Sequence, residues 1–172
     1  MLLLNWSCQK SGIIQQRGAS KTMYPDQESW ASTLVISRHD LMVARADSDR
    51  MVKYNNRDQA YLIGHVNIDF YNKDGLHISH MLADSANINM SSNDLNAIGS
   101  VVVRSDSGLV LHTDTLHWND QYDMINTEDS IMFTTPSNDT LYGIGFESDV
   151  DLTHWKIYKP WGVTERGFNV GD

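Results

Sequence analysis

From Trp30 onward, apolar residues recur at every second position. The runs are Leu34 and Ile36; Val66, Ile68 and Phe70; Leu76 and Ile78; Ala86, Ile88 and Met90; Val101 and Val103; Leu109 and Leu111; Leu116 and Trp118; and Ile131 and Phe133. A step of two puts successive apolar side chains on one face of an extended strand. No window beyond residue 28 keeps a helical period of useful length. Between the runs stand Asn55-Asn56, Asp74-Gly75, Asn93-Asp94, Ser107-Gly108, Asn119-Asp120 and Ser137-Asn138-Asp139, residue types that tolerate tight reversals. Each run therefore goes out and comes straight back, which predicts an all-β, antiparallel chain.

The pattern also repeats. The stretch DSANINMSSNDLNAIGSVVVRSDSGLVLHT, from Asp84, is followed from Asp114 by DTLHWNDQYDMINTEDSIMFTTPSNDTLYG. Shifting by thirty positions carries Ile88 onto Trp118, Leu95 onto Ile125, Val101 onto Ile131, Val103 onto Phe133 and Leu111 onto Leu141. A weaker earlier copy sets Ala46-Asp47-Ser48 against Ala83-Asp84-Ser85, and Gly64, Val66 and Ile68 against Gly99, Val101 and Val103. The repeat is one strand-turn-strand unit, which cannot bury its apolar face alone, so copies stack and share an interior. The expected fold is an elongated, slightly twisted antiparallel β-jelly roll built from these stacked repeats.

Such a stack has two consequences. Its interior is a long apolar trough, for which the inward set Ile68, Phe70, Ile78, Ile88, Val101, Val103, Leu111, Leu116, Trp118, Ile131 and Phe133 is predicted. If the trough stays open, it has the width for acyl chains. Its terminal strands are also unpaired templates for another chain. The last alternating segment, HWKIYKPWG, places Trp155, Ile157 and Tyr158 on such an edge, and Pro160 suits an edge strand.

Composition narrows the function. Thirteen Lys and Arg against 22 Asp and Glu give a net charge of −9, which repels a phosphate backbone and argues against nucleic-acid binding. Residues 1–24 hold Lys10, Arg17 and Lys21 and no carboxylate, so a basic head precedes an acidic body. Residues 1–28 read as an anchor or tether, 29–167 as the β-domain and 168–172 as a tail. The single cysteine, Cys8, excludes an intrachain disulfide framework and a Cys-rich zinc site. The opening MLLLNWSCQK is too short to span a membrane. It resembles the truncated end of a bacterial lipoprotein signal with Cys8 as the lipid attachment point, although Asn5 and Trp6 depart from such signals; a plain free thiol is the other reading.

Motifs for catalysis are lacking. There is no G-x-S-x-G, no phosphate-cradling glycine loop, no H-E-x-x-H and no C-x-x-C. The carboxylates sit mainly in turns, and no two stand out as a hydrolytic pair. His77 and His80 are three apart, and His112 and His117 five apart. Odd separations put the members of each pair on opposite faces of a strand, so no metal site is expected, and no cofactor.

The run from Leu111 to Asp149 resembles the C-terminal half of the LptC family. The matching features are Leu111-x-Thr113-Asp114-x-Leu116-x-Trp118, Ile125-x-Thr127, Thr134-Thr135, Asp139-Thr140-Leu141 and Gly143-x-Gly145-Phe146-Glu147-Ser148-Asp149. Upstream, HVNIDFYNKDGLHISHMLAD is similar to the family's strand, D-G turn and strand. The resemblance covers roughly residues 28–167. It implies a non-enzymatic periplasmic jelly roll at the inner membrane. Such a protein receives lipopolysaccharide from the ABC transporter of LptB, LptF and LptG and passes it to an LptA-like protein through edge-strand pairing, the acyl chains lying in the interior. The family's usual N-terminal transmembrane helix has no counterpart here, and a lipidated Cys8 would take its place. Two other classes stay open on the residues alone: a structural or adhesive β-module without lipid cargo, and a β-rich carbohydrate-active enzyme.

Overall fold

A computed structural model describes residues 24–54 and 57–161. The Asn55-Asn56 turn, Cys8, most of the tether and the tail lie outside the described residues. Among the described residues nine strands follow one another: β1 (Gln27–Arg38), β2 (Leu41–Lys53), β3 (Gln59–Tyr71), β4 (His77–Asn89), β5 (Leu95–Ser105), β6 (Val110–Asn119), β7 (Met124–Thr134), β8 (Thr140–Asp149) and β9 (Trp155–Trp161). Each pairs antiparallel with the next, giving one sheet in the order of the sequence, with β1 and β9 at its two ends. The described residues contain no helix.

The reversals fall where the turn residues are. In the turn at 72–76 the Asn72 side chain accepts from the backbone N–H of both Asp74 and Leu76, and Gly75 adopts φ +76°, a conformation glycine takes without penalty. Two apolar positions depart from the expected alternation. Leu76 belongs to this turn and is exposed, and Met90 sits half-buried in the turn at 90–94.

The sheet is creased. Midway along β3, β5 and β7, one extra residue stands against both neighbouring strands: registers slip between Ile63 and Val66, between Ile98 and Val101, and between Thr127 and Ser130. Such bulges bend and twist a strand. The first two are built on Gly64 (φ +77°) and Gly99 (φ +84°), each followed by a second residue with positive φ, His65 and Ser100. A Cβ on Gly64 would collide with Asp49, and one on Gly99 with Asp84. The counterpart of Asp84 in the earlier copy is therefore Asp49, a correction to the alignment of Asp47 with Asp84.

The thirty-residue repeat reappears as geometry. The inward face of β4 switches parity between Ala83 and Ala86, that of β6 between Thr113 and Leu116, and that of β8 by Gly143 and Phe146. Each pair lies thirty positions on from the one before, so the copy extends one unit further than the alternation indicated.

The crease folds the sheet over on itself. Arg38, at the end of β1, is 2.6 Å from Asp120 in the turn after β6. On a flat sheet these residues would lie at opposite ends of strands about 40 Å long and five strand spacings, about 24 Å, apart. Likewise the rings of Phe70 on β3 and Trp118 on β6 are 5.1 Å apart, edge to face, where three flat spacings would separate them by about 14 Å. The half-strands on either side of the crease thus form two facing layers. Each layer ends in a row of turns: the first lip at 39–40, 72–76, 106–109 and 135–139, the second at 90–94, 120–123 and 150–154, beside the end of β2 and the start of β3. The trough between them runs across the strands from β1 to β9.

Candidate functional site

The trough is lined by one apolar cluster that runs from Ile36 and Val43 through Ile125, Ile131 and Phe133 to Phe146 and Leu152. Ten of the eleven predicted interior residues are buried, none more than 3% exposed: Ile68, Phe70, Ile88, Val101, Val103, Leu111, Leu116, Trp118, Ile131 and Phe133. Ile78 is half-buried and packs against them. It is the extra residue of a bulge in β4, where Phe70 pairs with Ser79 but Tyr71 with His77.

Two polar atoms interrupt this lining. Trp118 Nε1 and Ser79 Oγ are buried and have no hydrogen-bond partner among the described residues. Ser79 lies opposite Phe70 in the ladder, and Phe70 packs on Trp118, so both atoms border the same ring. A buried donor without a partner keeps its full desolvation cost, and a carbonyl or hydroxyl entering the trough here would relieve it.

The lips are held differently from the crease. The Arg38 guanidinium donates to the Asp120 backbone carbonyl and to Asp120 Oδ1, 2.6 Å away, and Asp123 lies at 3.5 Å. Asp120 is itself seated on the second lip, where Asn93 Nδ2 donates to its Oδ2 at 3.2 Å and its own N–H donates to Asp94 Oδ1 at 3.1 Å. The hydrogen bond to Asp120 and the two carboxylate charges outweigh burial and raise the Arg38 pKa. Nothing in the alternation pointed to this clasp, because its partners are 82 positions apart and Asp120 reads as an ordinary turn residue.

The terminal strands leave backbone edges. Of the three residues predicted on the last edge, Trp155 packs on Phe133 with ring centroids 4.9 Å apart and Ile157 packs against the core. Tyr158 faces out and donates to Glu147 at 2.6 Å. Asp149 fixes the turn into β9, accepting from the N–H of Thr153 and His154 and contacting the His154 ring. Burial works to raise its pKa, but the His154 bonds, backbone and side chain, prevail and lower it. At the other end, Trp30 on β1 is exposed under the Arg50 guanidinium at 5.3 Å.

Odd spacing does not put the members of each histidine pair on opposite faces. The ladder register slips within both segments, through the extra residue Ile78 in β4 and opposite the β7 bulge in β6; His112 and His117 flank an inward pair, Thr113 and Leu116, and share the outer face, while His77 and His80 both reach Asp69 on the outer face of the first lip. Odd spacing separates faces only where the register of the ladder is regular.

No helix among the described residues is long and apolar enough to cross a membrane. No curated protein matches the sequence. The family described as lipopolysaccharide-assembly, LptC-related, matches over residues 19–159, which takes in eight strands and most of β9. Together with the creased sheet and its apolar trough, this match shows that the chain belongs to the LptC family, a periplasm-facing family of lipopolysaccharide-transport components rather than of enzymes.

Proposed function

We propose that this protein takes the acyl chains of lipopolysaccharide between its two lips into the trough. On this reading it accepts them from the inner-membrane ABC transporter (LptB, LptF, LptG) and hands them to an LptA-like periplasmic protein. The observation that carries the reading is a continuous apolar interior in a sheet whose layers are joined by the continuing strands at the crease and, among the described residues, by the Arg38 clasp at the lips.

The lining is shielded from solvent, so entry requires the lips to part. Magnitudes favour it. Moving an acyl chain of a dozen methylenes out of water is worth roughly 10 kcal/mol at ~0.8 kcal/mol per CH₂, and the chain replaces contacts that the parted layers give up. The clasp opposing it is one largely buried ion pair, worth about 2 kcal/mol. The ester and amide carbonyls near the head of an acyl chain are acceptors of the kind that Trp118 Nε1 lacks. Directional flow is supplied by ATP hydrolysis in the transporter, since this chain has no nucleotide motif. The backbone edges of β1 and β9 serve as the joints to neighbouring jelly rolls by strand addition, with Trp155 and Ile157 anchoring β9 and Tyr158 on its outer face. A lipidated Cys8 would hold the protein at the inner membrane.

A photo-crosslinking side chain placed at Phe133 or Trp118 in cells tests this. The expected outcome is adducts with lipopolysaccharide from both interior positions and none from Thr115, which faces solvent on β6. A folded protein that gives no interior adducts refutes the carrier reading and leaves a structural module.

A further inference from the structure

On the outer face of the first lip, on the opposite side of β3 and β4 from the lining of the trough, three side chains converge. Asp69 Oδ1 is 2.8 Å from His80 Nδ1 and 3.5 Å from His77 Nε2. One ligand atom from each of the three lies within 4.8 Å of the others. The second nitrogen of His77, Nδ1, is 2.9 and 3.0 Å from the two oxygens of Asp106.

This last contact sets the chemistry. A ring nitrogen facing two carboxylate oxygens is a donor, and in a neutral imidazole that leaves the other nitrogen with a lone pair and no proton. With the ring neutral, the Nε2 lone pair of His77 faces the Asp69 carboxylate, a repulsion that a cation bound between them removes. A tetrahedral ion with N and O bonds of about 2.0 to 2.1 Å holds neighbouring ligand atoms about 3.3 Å apart. The 3.5 Å pair already fits that edge, and the 2.8 Å pair has to open by only about half an ångström. A carboxylate on the far nitrogen of a ligating histidine is also the usual outer-sphere partner in such centres, fixing ring orientation and raising basicity.

We propose that Asp69, His77 and His80 form a binding site for a divalent transition-metal ion of the Zn²⁺ type, with Asp106 as the positioning residue for His77 and a fourth position open to water. Two imidazoles with one carboxylate suit Zn²⁺ far better than Mg²⁺ or Ca²⁺, which prefer all-oxygen shells. The surrounding charges are mixed. Arg45, opposite Asp69 on β2, is engaged by Asp47 at 3.2 Å; Arg104, opposite His80 on β5, opposes a cation; Asp69 and Asp106 outweigh it. The ring edge of Tyr71, 5.7 Å from His77, walls one side, while the three ligands remain reachable from solvent. An ion here would staple β3, β4 and the turn after β5 into one unit, stiffening the first lip.

The test is calorimetric titration of the full chain, stripped with EDTA and dialysed, with ZnCl₂ and separately with MgCl₂ at pH 7.5. The expected result is saturable one-to-one binding of Zn²⁺ only, together with a rise in Tm. His80→Asn and His77→Ala should abolish it, Asp106→Asn should weaken it by about 10- to 100-fold, and His117→Ala should leave it unchanged. Should His77→Ala fail to fold, the near-isosteric His80→Asn and the visible absorption of a Co²⁺-loaded sample carry the same question. The proposal is overturned by an absence of saturable Zn²⁺ binding, by equal binding of Mg²⁺, or by Zn²⁺ affinity indifferent to His80→Asn.

Discussion

The crease and the lips bound the same trough by different means. The crease is made of backbone: an extra residue in each of three strands, glycines at positive φ, and the ladder itself continuing on both sides. The lips meet through side chains, Arg38 on one and Asp120 with Asp123 on the other. Opening the crease breaks many backbone hydrogen bonds at once, whereas a clasp of one guanidinium opens alone. The trough therefore has a hinge along one side and a latch along the other, and substitutions should separate the two.

The largest effect is expected from the contact that joins the layers across the interior. Trp118→Ala removes a fully buried ring that packs on Phe70, and should cost about 3–5 kcal/mol in urea unfolding. Trp118→Phe keeps most of the packing and deletes the unpartnered N–H, so it should come within about 1 kcal/mol of the native protein. A large loss for Phe would mean that the indole donor has a partner in solution. Next comes the hinge. Gly99→Ala forces a side chain into a left-handed conformation and onto Asp84, and should cost about 1–3 kcal/mol. Gly75→Ala, in a lip turn at nearly the same φ but with open space around it, should cost only about 1 kcal/mol. Equal losses at the two glycines would remove the distinction between crease and lip.

These contrasts also mark what was legible in the sequence. Alternation placed nearly all of the interior because burial on one face of a strand dictates a step of two, and the thirty-residue copy held because each unit meets the same neighbours. The bulges broke the reading where they occur. Glycine at 64 and 99 was visible, but in β7 the extra residue falls at Glu128-Asp129 with no glycine to announce it. The same blindness misassigned the histidine faces. The latch was not legible at all, since a contact between the end of β1 and the turn after β6 exists only once the sheet has folded over.

Loosening the latch is the third test. Arg38→Ala leaves the buried Asp120 carboxylate with its Asn93 partner, so the expected loss is about 2 kcal/mol. Amide exchange in the turn at 120–123 should nevertheless accelerate while the crease strands stay protected, and fluorescent-lipid uptake should quicken. Uniformly faster exchange over the whole sheet would show that the clasp supports the fold rather than gating the trough.

The smallest expected effect concerns two histidines near the crease whose pKa values move in opposite directions. Burial, with help from the charge of Arg104, lowers that of His112. The hydrogen bond that its ring donates to Asp49, reinforced by the carboxylate's charge, raises that of His65, which stands in solvent beside Gly64. For His112 the folded state holds the neutral ring while the unfolded chain takes up a proton near pH 6.5. Its contribution is therefore intact above that pH and is lost as pH falls through the lowered value. For His65 the folded state holds the proton, so its contribution is complete below about pH 6.5 and is lost as pH rises through the raised value. Unfolding midpoints between pH 5 and 8 should accordingly show a shallow maximum. His112→Gln should flatten the acid side, and His65→Gln should flatten the alkaline side. Because His65 is exposed, 0.5 M salt should erase its share and spare that of His112, whose origin is burial rather than charge; a salt-sensitive acid limb would assign the shift at His112 to Arg104 instead.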